Sequence, residues 1–123
     1  MKMTLLKISA LLVAATLTGA CKKKVHVQCG DTPKSVRMNT EPAFIAVCPA
    51  GCAGAFGSVW GQGPYTTDSA ICRAAIHAGA LDDSKGGKVT VTMKPGQGSY
   101  SATVANGVAS STWGSYDSSF EIK

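Results

Sequence analysis

Histidine is nearly missing from this chain of 123 residues: there are two, His26 and His77, and His26 lies near the start. Histidine-rich metal chemistry is therefore excluded, and a histidine base would have to be His77. Nucleotide-binding glycine loops are missing too. Gly61-Gln62-Gly63 and Gly96-Gln97-Gly98 do not extend to GxGxxG before a helix, and they read as turns. No apolar run is long enough to cross a bilayer, which takes about 20 residues. The longest, Ile8 to Leu17, falls short. Net charge is also missing where it would count. The whole chain carries +5, but from Cys29 to Lys123 seven basic residues face seven acidic ones. That balance gives no reason to expect a nucleic-acid partner, which would need clustered positive charge on the folded part.

What is present begins with an export layout. Lys2 and Lys7 precede the apolar run and small residues follow it, which reads as a signal peptide over residues 1–20. The stretch "LTGAC" resembles the lipobox of bacterial lipoproteins, which implies cleavage before Cys21 and lipid on its sulfur. Acyl chains anchor a protein without a membrane-spanning helix, at about 0.8 kcal/mol per buried methylene. Lys22, Lys23 and Lys24 would then lie beside anionic headgroups. Residues 21–28 read as a short basic tether and residues 29–123 as one domain, with room for a single core.

Setting Cys21 aside leaves Cys29, Cys48, Cys52 and Cys72. An even number in an exported chain of this size reads as two disulfides, for which three pairings are possible. The spacing in "CPAGC" suits neither a zinc site nor a CxxC redox site. No metal and no cofactor is expected.

The stretch "YTTDSAICRAAIHAGAL" predicts a helix over about 68–78, with Asp68 as its N-cap and Gly79 in the left-handed conformation that ends it. Ile71, Cys72, Ala75 and Ile76 share its apolar face, and the many alanines suit a helix approached closely from several sides. Successive helical residues are about 100° apart, so Cys72 and His77 diverge by about 140° and form no dyad. His77 shares a stripe with Ser69 and Arg73, but Ser69 is two turns away. A structural role for His77 at the negative end of the helix is the simpler reading.

Elsewhere Ala43 to Val47 predicts a strand ending at Cys48. Ser58 to Gly61 predicts a short strand, and Lys88 to Lys94 alternates as a half-buried one. Pro95 to Gly98 reads as a turn that pairs Lys88–Lys94 with a strand from Tyr100 to Val104. Asn106-Gly107 is a second turn. Phe120 and Ile122 form a last inward face. Among the aromatic residues, Trp60 and Phe120 are assigned to the core, while Tyr65, Trp113 and Tyr116 are candidates for a binding surface.

Three blocks, "CPAGC", "SVWGQGPYTTDSAICRAAIHAG" and "GGKVTVTMKPGQGSYSATVANGVASSTWGSYDSSFEI", together resemble the LCCL domain family over about Cys29 to Ile122. The resemblance implies an α+β fold with a central helix wrapped by short twisted antiparallel β-sheets. It also implies cysteines paired in order, Cys29 with Cys48 and Cys52 with Cys72. The family is implied to be noncatalytic, and it has been proposed to bind lipopolysaccharide or other microbial surface components. The expectation is therefore a membrane-tethered binding or adhesion module of the cell envelope, on the outer membrane, since Lys22 is not the aspartate that retains lipoproteins at the inner one. Its partner would be lipopolysaccharide, a glycan or an envelope protein, with Tyr65, Trp113, Tyr116, His77 and Arg73 as contact candidates. Two other readings are a structural envelope lipoprotein without a soluble ligand and a small hydrolase using His77.

Overall fold

The computed structural model describes residues 21–123. Residues 1–20, read above as a signal peptide, lie outside the described residues. The elements are β1 (Lys23–His26), β2 (Ala43–Cys48), β3 (Tyr65–Thr66), α1 (Ile71–His77), β4 (Gly87–Gln97), β5 (Val104–Ala105), β6 (Val108–Ala109) and β7 (Tyr116–Ile122). A short 3-10 turn covers Cys52–Gly54. Five strands make one sheet in the order β1-β2-β4-β7-β3, and β5 and β6 make a separate hairpin. The class is α+β with strands dominant.

The sheet is mixed, because β1 runs parallel to β2. Residues 23–26, expected in a tether, are thus a strand of the domain. Val25 explains this: it packs against the core, and Val27, just beyond, is almost fully buried and donates its amide to Val47. The apolar alternation of Val25 and Val27 outweighs the lysines, which an edge strand tolerates.

Strand β4 is longer than expected. It continues through Pro95 to Gln97 and pairs with β2 on one side and β7 on the other, not with the segment after it. Alternate residues face alternate neighbours: Thr90 exchanges both backbone bonds with Lys123, while the Met93 amide bonds Pro42 on the β2 side. Pro95, two residues on from Met93, faces that same side beyond the start of β2. Its missing N–H therefore costs no ladder bond. Tyr100 instead bridges Trp113, and the expected strand at 58–61 is reduced to isolated bridges at Trp60 and Gly61.

Helix α1 is shorter than 68–78 and is not capped by Asp68. Ala70 occupies the N-cap position without a side-chain bond. Tertiary carbonyls take over at this end, since the Ile71 amide donates to Asp31 and the Ala70 amide to Ser58. Asp68 instead accepts the Thr66 hydroxyl at 2.6 Å. The far end is as expected: Gly79 has φ +79°, its amide bonds Ile76, and the Ala80 amide reaches back to Ala75. Every helical residue except Arg73 is buried.

The disulfides are Cys29–Cys52 and Cys48–Cys72, so pairing in sequence order is wrong. Strand parity gives the reason. Phe44, Ala46 and Cys48 are the buried positions of β2, so Cys48 points at the helix that carries Cys72. Their Cα atoms lie 5.7 Å apart. Beyond Cys48, Gly51 takes φ +83° and reverses the chain. Cys52 then lies beside Cys29, 5.1 Å away between Cα atoms, just past the end of β1.

Thiol titration checks the pairing. The double variant Cys29→Ser/Cys52→Ser keeps one disulfide and no free internal thiol, whereas Cys29→Ser/Cys48→Ser exposes two. Loss of either crosslink, each closing a loop of little more than twenty residues, lowers unfolding free energy by about 3 kcal/mol in urea denaturation.

Candidate functional site

The helix side chains singled out by sequence are structural supports. His77 is 4% exposed and ends α1 against two other segments. Its Nε2 lies 3.2 Å from the Thr103 carbonyl and 3.0 Å from the Thr103 hydroxyl. A carbonyl only accepts, so Nε2–H donates to it, and in the neutral ring Nδ1 accepts from the Tyr65 hydroxyl at 2.9 Å. The His77 backbone carbonyl takes a bond from Asn106. One residue thus ties α1 to β3, to the segment at Thr103 and to the β5–β6 hairpin. Both ring nitrogens are engaged away from solvent, so His77 presents no base to a substrate.

Tyr65 is 1% exposed, and burial pushes its phenol up to about 12. It is not a surface contact; its ring packs edgewise on His77 and against Phe120. Arg73 is half-buried and donates to the carbonyls of Gly57, Cys52 and Ala53, clamping the loop that follows the Cys29–Cys52 crosslink. Its role is also internal.

Two candidates remain at the surface. Trp113 is 48% exposed and meets half-buried Trp60 edge-on, with ring centroids 4.9 Å apart. The bridges Trp60–Ser111 and Tyr100–Trp113 position both rings. Trp60 was expected in the core. Its partner is Trp113 because parallel pairing at Ser111 brings the two segments side by side. Tyr116, half-buried, takes a bond from Lys34 Nζ at 2.7 Å, and that bond holds the Lys34 ammonium above its usual range. Phe56, at 95% exposure, was not singled out by sequence; it sits in the cystine loop, where no inward periodicity marks it.

Close to Trp60, the turn from Gly61 to Pro64 borders a shallow open cleft of about 260 Å³. Gln62, Tyr65, Ala78, Glu121, Ile122 and Lys123 line it. The combination of an aromatic pair and a small cleft of mixed polar and apolar lining can hold an amphipathic ligand; it brings no nucleophile and base together.

The LCCL domain family matches residues 19–120 of this chain. The chain belongs to the LCCL domain family. Vitrin from Mus musculus is 46% identical over 69 residues, 56% of this chain and 10% of vitrin. Cochlin from Cavia porcellus is 42% identical over 76 residues, 62% of this chain and 14% of cochlin. Discoidin, CUB and LCCL domain-containing protein 2 from Rattus norvegicus is 38% identical over 90 residues, 72% of this chain and 11% of that protein. The chain therefore spans roughly a tenth of the length of these relatives. In this chain the Ile71–His77 part of "SAICRAAIHAG" forms the helix, and its histidine supports the fold.

The buried pair yields a pH signature. Tyr65 ionises at about 12 when folded and near its ordinary value, about 10, when unfolded. Its contribution is complete below pH 10 and is lost as pH rises towards 12. Urea denaturation at pH 8 and pH 11 should show a larger loss for the wild type than for Tyr65→Phe. At pH 8 the variant should be about 1–2 kcal/mol less stable, because the His77 ring loses its donor.

Proposed function

We propose that this LCCL domain is a noncatalytic, extracytoplasmic binding module, lipid-anchored at Cys21, whose ligand surface is the Trp60–Trp113 pair and the neighbouring cleft. The pair of exposed Trp113 and half-buried Trp60 carries this reading. An indole at half exposure retains apolar area that a ligand can cover, and its N–H stays free to bond. Lipopolysaccharide and envelope glycans fit such a surface, since sugar rings present C–H faces to stack and hydroxyls for Gln62 and Glu121 at the cleft.

The anchor reading rests on the "LTGAC" stretch and on the state of Cys21, which is exposed and the one free cysteine among the described residues. Two crosslinks inside the domain fit an oxidising compartment. Among the described residues no helix is long and apolar enough to cross a membrane, so an acyl group would supply the attachment. Lys22 in the position after the lipid favours the outer membrane, facing the periplasm or the cell surface.

Trp60 and Trp113 are the chain's two tryptophans, so intrinsic fluorescence reports directly on the site. Titration with lipopolysaccharide or envelope glycan should give a saturable change that Trp113→Ala weakens at least tenfold without lowering the melting temperature. Unchanged emission across lipopolysaccharide and glycan fractions would remove the ligand reading. For the anchor, Cys21→Ser should move the protein from the membrane to the soluble fraction.

A further inference from the structure

The five-stranded sheet has two faces, and α1 covers one. Phe44, Ala46, Val89, Val91 and Phe120 point into the core. On the opposite face the ladder registers place side chains in rows. Lys24, Ile45 and Lys123 flank Thr90 in one row, and His26, Val47 and Lys88 form the next. Lys94 stands further along the same face, with Glu121 3.8 Å away. The lysines and His26 are exposed, while Ile45 and Val47 are half-buried.

Charge on this face is one-sided. Lys24, Lys88, Lys94 and Lys123 outnumber the two carboxylates that strand parity places on this side, Glu121 and, further along β7, Asp117, although the chain from Cys29 to Lys123 is balanced seven against seven. The sheet has sorted neutral composition into a basic surface with an aliphatic centre. Neighbouring strands lie about 4.8 Å apart, so β1 to β7 spans about 14 Å. A second copy of the chain docked symmetrically would set lysines against lysines, which disfavours it. Anionic headgroups suit the surface, with lysines reaching phosphates and their aliphatic stems beside Ile45 and Val47.

The anchor falls at the edge of this same surface. Cys21 is two residues before β1, which at full extension is about 7 Å of chain. From these placements we infer that the uncovered sheet face lies against the anionic headgroup layer of the bilayer that holds Cys21. The inference rests on the anchor reading above. It makes the tether a strand of the docked face and orients the domain on the membrane, rather than leaving it on a free leash.

Amine labelling of the acylated chain tests the docking. In phosphatidylglycerol-containing vesicles, a water-soluble acylating reagent should modify Lys24, Lys88, Lys94 and Lys123 several-fold more slowly than in pure phosphatidylcholine vesicles. Lys85, in the loop before β4, should be unchanged. Equal rates at the four lysines in both vesicle types overturn the inference. Mass spectrometry of the peptide containing Cys21 reads the anchor separately, so a lipidated terminus with no lysine protection defeats the docked face alone. The unacylated Cys21→Ser chain covers the opposite case. It should sediment weakly with phosphatidylglycerol vesicles at low salt, and Lys88→Glu/Lys123→Glu should reduce that binding at least tenfold, since each lysine near such a surface contributes about fivefold. Equal sedimentation of the two chains, with melting temperatures unchanged, also overturns it.

Discussion

The Cys48–Cys72 crosslink holds the first turn of α1 to the end of β2, and the rest of the architecture depends on that junction. A helix of seven residues has little stability of its own, because nucleation is costly and few bonds repay it. Its persistence is tertiary. The sulfur bridge fixes one end, carbonyls of Asp31 and Ser58 accept the first amides, and His77 with Gly79 closes the other end. The alanines let strands and loops approach the rod closely.

That junction determines which side chains remain available for binding. Fastening the helix into the core buries Cys72 and His77, the nucleophile and base types of the helix stretch, together with Tyr65, a candidate surface contact. Arg73 is used on the carbonyls of the cystine loop. The chemistry left at the surface is aromatic and cationic: Trp113 leaning on Trp60, Tyr116 under Lys34, and a lysine-studded sheet face. They fall in two regions that adjoin at Glu121 of β7 and at Lys123, the residue after that strand. The tryptophan pair lies by the β3 edge, while the lysine face begins at β1, where the chain would be anchored. A module with its basic face on the lipid would keep its aromatic site at the far edge of the sheet.

Much of the fold was legible in the residues. An apolar run marked β2, alternation marked the first half of β4, Gly79 marked the helix end, and Asn106-Gly107 marked the hairpin of β5 and β6. The helix start was not legible, because Asp68 is a good cap by type but carbonyls distant in sequence reached the amides first. Nor was the course through Pro95, which looks like a strand breaker until β2 is seen to begin too late to need its amide. The site was harder still. Cysteine, arginine and histidine in one short stretch look like chemistry in sequence, but Cys72 is crosslinked, His77 is buried between β3 and Thr103, and Arg73 is engaged by loop carbonyls.

By itself the sequence determined composition-bound properties: a small α+β domain with one core, four cysteines inside it, a fifth at position 21 and an LCCL-type helix. Periodicity and turn chemistry are local, so they survive in one dimension. Tertiary structure alone decided the pairing Cys29–Cys52 and Cys48–Cys72, the absorption of the basic tether into the sheet and the partnership of Trp60 with Trp113. Each depends on which face of a strand meets which neighbour, a relation between residues far apart in the chain. The lysines show the same division: their number is a property of the sequence, but only strand registry gathers four of them on one side.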